Sequence, residues 1–243
     1  MSANVKERSF TMSPQKKLNT TKKEIIQIAT RLFLEKGFSD TSVKLISDTL
    51  GISTGNLTFH YPTKEHLLSV LVKMLCDFQW RCMETALEEG SSPLMALCLE
   101  LAAMTAMCEG NEIARDFYLS AYKHTMTLNT IRLNDRKKNQ KLFAAYCQDW
   151  DETQFAEAET LVSGIEYATL MNTPCSPSLP VRLAGALKAI LKIYHVPDEE
   201  CDECIQKVLL INYRSIGQKV LREFTDFVHN TSELQLEQYL LQL

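Results

Sequence analysis

Along residues 21–68 the apolar positions recur at helical spacing and are punctuated by capping residues. Thr21-Lys22-Lys23-Glu24 has the spacing of a capping box, with a hydroxyl for an orphan N–H and a carboxylate reaching back. Ile25, Ile28, Ala29, Leu32 and Phe33 follow at i, i+3, i+4, i+7 and i+8, one stripe of a helix that Gly37 closes. Asp40, Thr41 or Ser42 caps a short second helix with Val43, Ile46 and Leu50 inward, ended by Gly51. Ser53 caps a third. Its run GNLTFHYP alternates like a strand, yet Leu57 and Tyr61 share a helical row and Pro62 stops the helix. Two short helices joined by Gly51-Ile52-Ser53 predict a helix-turn-helix.

Thr63 caps the next helix, expected to run to about Glu89. Helical patterns then predict elements at 92–109, 112–128, 132–148, 152–171, 179–194 and 198–228, with a short C-terminal piece. The run at 172–180, with three prolines in nine positions, is the clearest interruption. No strand pattern competes. The expected fold is all-α, a three-helix N-terminal domain followed by a larger helical bundle. The expected divisions are a mobile arm over 1–19, the helix-turn-helix domain over 20–66 and the bundle over 67–243.

Composition sharpens this picture. Gly (8) and Pro (7) are scarce in 243 residues and 45% are hydrophobic, which suits long helices around a sizeable core. The net charge of −4 hides an asymmetry: residues 1–75 carry a balance of +5 and the rest −9. A basic first third on an acidic body suggests an anion-binding module. No uninterrupted apolar run of 18 residues occurs and the first twenty residues lack an apolar signal core, so no membrane role is expected and the expected location is cytoplasmic. The eight cysteines are scattered, as reduced thiols used as small hydrophobes are. Only Cys201-Asp-Glu-Cys204 has ligand spacing, and no second pair completes it, so neither metal nor cofactor is expected. No catalytic motif is present, so an enzyme is not expected.

Within residues 21–68 the motifs Leu32-Phe33 with Gly37-Phe38, Thr41-Ser42, Ile46, Gly51-Ile52-Ser53, Gly55-Asn56-Leu57, His60-Tyr61 and Lys64-Glu65 with Leu67 stand in a telling order. In that order and spacing the segment resembles the DNA-binding domain of the tetracycline-repressor (TetR) family of bacterial transcription regulators. Three departures stand out: Thr58 where the family usually has Tyr, Tyr61 where it has Phe, and Pro62 for a more usual polar residue. The shorter Thr58 puts a phosphate contact in question, not the domain.

The resemblance implies a DNA-binding regulator, expected to be a repressor, that reads a palindromic operator in double-stranded DNA as a homodimer. Thr54, Asn56 and Thr58 are the expected base readers and Phe59 an exposed apolar contact. Thr41, Ser42, Ser53, His60, Tyr61 and Lys64 are expected around them, as caps or phosphate donors. Lys16, Lys17, Lys22 and Lys23 add sequence-independent attraction. The family's second domain pairs through two long helices, for which 152–171 and 179–194 are the candidates and 198–228 a competitor. It also holds a small-molecule effector pocket. Large or amphipathic side chains of the middle helices are its expected lining: Met104, Met107, Cys108, Phe117, Tyr118, Tyr122, Met126, Phe143, Tyr146, Trp150 and Tyr167. The basic run Arg136-Lys137-Lys138 with Lys141 reads as a solvated helix face. The alternative is an accessory interaction protein that keeps the fold without sequence-specific DNA binding.

Overall fold

The computed structural model describes residues 14–87 and 92–241, with side chains from residue 22 onward. Its described residues form twelve helices and no strand. The first is α1 (Pro14–Lys36), which begins before Thr21, so Thr21 lies inside a helix instead of capping one. The expected arm falls partly into α1 and otherwise on residues 1–13, outside the described residues; the side chains of Lys16 and Lys17 are outside them too. Gly37 ends α1 at φ 91, a left-handed conformation that glycine adopts without strain. Ser39, two residues on, donates its backbone N–H (2.8 Å) and its hydroxyl to the Asp116 carboxylate. That tie fastens the α1–α2 turn to the bundle.

Helix α2 (Val43–Leu50) packs on α1, and α3 (Thr54–His60) packs on α2. The next, α4 (Lys64–Ala86), stops short of Glu89 and takes the expected boundary at residue 66 into its first turn. Leu67, Leu68 and Leu71 are fully buried in a core that also holds Phe33, Ile46 and Leu57. The other end of α4 walls the bundle, against α5 (Pro93–Gly110), α7 (Thr125–Leu142) and α11 (Tyr213–Asn230).

The bundle is built around α5. Among the described residues it is the one helix long and apolar enough by length and composition to cross a membrane, and 72% of it is buried inside the fold. A helix apolar on all sides must be surrounded by protein, and α5 touches α4, α6 (Glu112–Lys123), α8 (Glu152–Leu170), α9 (Leu179–Ile193), α10 (Asp198–Leu210) and α11. Gly217 lets α11 approach closely, since a Cβ there would lie 2.6 Å from the Ala103 carbonyl oxygen and 2.7 Å from Met107 Cγ.

Two expected helices are broken differently. The first break falls at His124, separating α6 from α7. Thr127 turns its hydroxyl back to the carbonyls of Ala121 (2.5 Å) and His124 (2.9 Å), and the His124 ring packs edge-on at 5.3 Å from Phe38. The expected 198–228 helix divides at Ile211-Asn212, where the Asn212 side chain caps α11 by accepting from Ser215 N–H at 3.1 Å. The short α12 (Glu233–Leu240) closes the chain against α1 and α4.

Candidate nucleic-acid interface

The helix-turn-helix is held by its caps. Ser42 accepts from Leu45 N–H at 3.0 Å and starts α2. Gly51 ends α2 at φ 68, and the N–H groups of Gly51 and Ile52 reach back to the carbonyls of Asp48 (3.2 Å) and Ser47 (3.1 Å). Ser53 then caps α3 by accepting from Asn56 N–H at 3.1 Å. Underneath, Leu57 and Ile46 are fully buried, so the rotation of α3 about its axis is fixed by packing.

That rotation sorts the expected contact residues. Ser53, Thr54, Asn56 and Phe59 face solvent; Phe59 is 74% exposed, with its ring edge-on to His60 at 5.2 Å. The Asn56 amide makes no hydrogen bond among the described residues, whereas Thr54 Oγ1 is 3.2 Å from Ser47 Oγ, which sets its rotamer. Thr58 bonds back to the carbonyls of Thr54 (3.0 Å) and Gly55 (3.2 Å), leaving its methyl as the free surface. Burial, with Lys22 nearby, holds the His60 imidazole below its ordinary value, which favours the neutral ring that can accept as well as donate.

Three of the expected residues are engaged inward. Thr41 is fully buried and donates to the carbonyls of Gly37 (2.7 Å) and Leu32 (3.2 Å), which corrects the expectation of a phosphate contact through its hydroxyl. Tyr61 is 3% exposed, and burial lifts its hydroxyl well above the ordinary phenol range, so it too is part of the core. Lys64 donates to the Phe38 carbonyl at 2.7 Å and sits 4.0 Å over the Phe38 ring. It bolts α4 to the α1–α2 turn. Composition and motif order could not separate these roles, because a donor listed by type says nothing of where its atom points. Lys44 was missed. It is exposed in the first turn of α2, two residues from Ser42, and its only signal is a cation between the inward Val43 and Ile46.

The eleven residues expected to line an effector pocket do not share one. Met104, Tyr118 and Tyr122 border a small cavity of about 40 Å³ between α4, α5, α6, α7 and α8. Its polar groups answer one another: Lys138 pairs with Glu100 (2.8 Å) and Asp135 (3.1 Å), Tyr118 donates to Gln79 (3.1 Å) and Tyr122 to Glu166 (3.0 Å). Tyr167 lies beside Tyr122, ring centres 6.4 Å apart. Cys108 and Phe117 are buried core, and Met107 packs under Gly217. Phe143 and Trp150 instead flank Tyr194, with Phe143 stacked on it at 3.9 Å, and Tyr146 lies against Phe143, ring centres 6.3 Å apart. Met126 is exposed on α7, outside the interior.

Known proteins share this arrangement. A family model described as "Bacterial regulatory proteins, tetR family" matches residues 25–71, the span from α1 into α4 that carries the capped helix-turn-helix. Over residues 25–71 the chain resembles the tetR family. The HTH-type transcriptional repressor KstR2 of Mycolicibacterium smegmatis is 30% identical over 74 residues, 30% of this chain and 36% of that protein. The HTH-type transcriptional regulator HbdR of Aromatoleum sp. (strain CIB) is 28% identical over 109 residues, 45% of this chain and 46% of that one. RutR of Escherichia coli K12, also an HTH-type transcriptional regulator, is 30% identical over 80 residues, 33% of this chain and 37% of that protein. The chain thus spans between about a third and a half of the length of the curated relatives it matches. The ligand-free crystal structure of RolR superposes with a TM-score of 0.57 at 14% identity, over 75% of this chain and 95% of that one, so the likeness of fold extends into the bundle.

Proposed function

We propose that this chain is a transcriptional regulator of the tetR kind, a repressor in the simplest reading, that lays α3 in the major groove of a palindromic operator. The observation that carries the reading is the outward flank of α3, where Asn56 and Phe59 stand exposed on a helix whose rotation is fixed by Leu57 beneath. An unpaired amide suits adenine N6 and N7, and an exposed ring suits sugar or a thymine methyl. Ser42, Ser53 and Lys44 flank it as phosphate donors, with free N–H groups at the two helix starts. KstR2, 30% identical over 74 residues, is named a transcriptional repressor.

One α3 reads too few base pairs to find a gene, so the reading requires a second copy one helical turn away, about 34–36 Å. Helices α8 and α9 offer the surface. Leu161 (54% exposed), Met171 (42%) and Val181 (60%) face outward with Gly164, Ala168, Gly185 and Ala189, small residues that let helices approach closely. An effector completes the proposal. Its seat is the polar cavity beside α4, which at about 40 Å³ holds water rather than a drug-sized molecule, so the helices must part to admit one.

The test is a mobility shift on the DNA upstream of the protein's own gene. Wild type is expected to bind there, and Asn56→Ala to lose about 1–3 kcal/mol at particular base positions. Equal binding of both proteins to every sequence would remove direct readout from α3.

A further inference from the structure

Outside the interior, α4 and α7 each turn one stripe toward a shared cleft of about 540 Å³, within the usual range for small-molecule sites. On α4 the stripe is His66, Ser69, Val70 and Lys73, spaced i, i+3, i+4, i+7. On α7 it is Met126, Asn129, Thr130, Leu133, Asn134 and Lys137, the same pattern continued. Cross-bonds from Ser69 to Thr130 (3.1 Å) and from Lys73 to Asn134 (2.9 Å) link the two stripes. His60 and Tyr61 of the helix-turn-helix border it, as does Leu240 of α12.

Two properties define what fits. Among the described residues lining the cleft are two lysines and two histidines, and no carboxylate. Lys73 already answers Asp77 at 3.0 Å, but Lys137 is exposed and has no ion pair among the described residues. Beside these cations Met126 (38% exposed) and Leu133 (49%) present apolar surface that no described residue covers. A small inorganic anion leaves that surface wet, and an uncharged apolar molecule leaves Lys137 unanswered. The basic run of α7, expected to be a solvated face, is divided: Lys138 turns inward to Glu100 and Asp135, while Lys137 and Lys141 border clefts. A second cleft shares Asn134 and Lys137 and continues past Tyr239 to Arg81, giving room for a longer molecule.

We propose that this cleft binds an amphipathic carboxylate, its head group at Lys137 and Lys73 and its chain over Met126, Leu133 and Val70. The bound molecule bridges the end of α3, through His60, to the flank of the bundle. The site is separate from the interior cavity and binds without DNA.

The experiment is calorimetric titration of the full chain with decanoate, and with decanol and inorganic phosphate as controls. Decanoate is expected to bind at least about tenfold more tightly than either control, and more weakly as salt rises. Lys137→Glu and Leu133→Gln, both at exposed positions, should each weaken decanoate at least about tenfold with the circular dichroism spectrum unchanged. No decanoate binding up to about 1 mM, equal binding of decanol or phosphate, or full affinity in either variant overturns the proposal.

Discussion

At the scale of single residues, the strongest chemical signature of the bundle is Glu159. It is 2% exposed and accepts from the Tyr194 hydroxyl and from Asn139 Nδ2 at 2.7 Å. Burial outweighs those bonds and lifts its carboxyl from 4.5 to about 7. A carboxyl raised on folding binds its proton more tightly in the native state, so its contribution is whole below 4.5 and is lost as pH rises through about 7. Thermal unfolding from about pH 5 to about pH 8 should therefore show wild type losing stability on the order of 1–3 kcal/mol. Glu159→Gln keeps an acceptor for both donors without the charge, so it should lose less stability across that window than wild type does. Phe59 gives the opposite kind of residue. With most of its ring in water, Phe59→Ala should leave the free energy of unfolding within about 0.5 kcal/mol of wild type while weakening operator binding.

Residues also mark how far the sequence could be read. Leu57 and Ile46 were legible as core because their spacing matches a helical row, and the exposure of Asn56 and Phe59 follows from the same row. Thr41 and Lys64 were not. Each is polar, near a helix start and plausible as a phosphate donor, and only the fold shows that carbonyls of Leu32, Gly37 and Phe38 take their hydrogens. The interior polar network was equally hidden, since Gln79, Glu100 and Lys138 come from three separate helices.

Among the elements, local signals decided success. Asp151 with Gln154 is a capping box and starts α8, and the proline-rich run before α9 ends at Leu179, both where the sequence placed them. The breaks at His124 and Asn212 carry no glycine or proline, so periodicity alone placed the first one late and ran through the second. Gly217 is the sharpest single point of helix packing. Gly217→Ala forces a methyl against backbone of α5 and should cost about 1–3 kcal/mol, read as a lowered urea midpoint with an unchanged slope.

For the whole molecule the question is what the outer face of α8 and α9 does. Leu161 projects from a surface of small residues, and a charge placed there is buried only if a second copy covers it. Leu161→Glu should leave the monomer's stability nearly unchanged and shift sedimentation toward the single chain, with the loss of operator binding that follows from separating the half-sites. A variant that sediments as wild type does would place the contact elsewhere.

One geometric consequence follows from α4. Its 23 residues make a rod of about 34 Å, rooted at Lys64 in the reading head and reaching Gln79 beside the interior cavity. A helix of that length moves along its axis as a unit, since its backbone hydrogen bonds tie each turn to the next. Asp77→Gly, on its half-exposed flank, should therefore soften it at a cost of about 0.5–1 kcal/mol, read as a lowered urea midpoint with an unchanged slope.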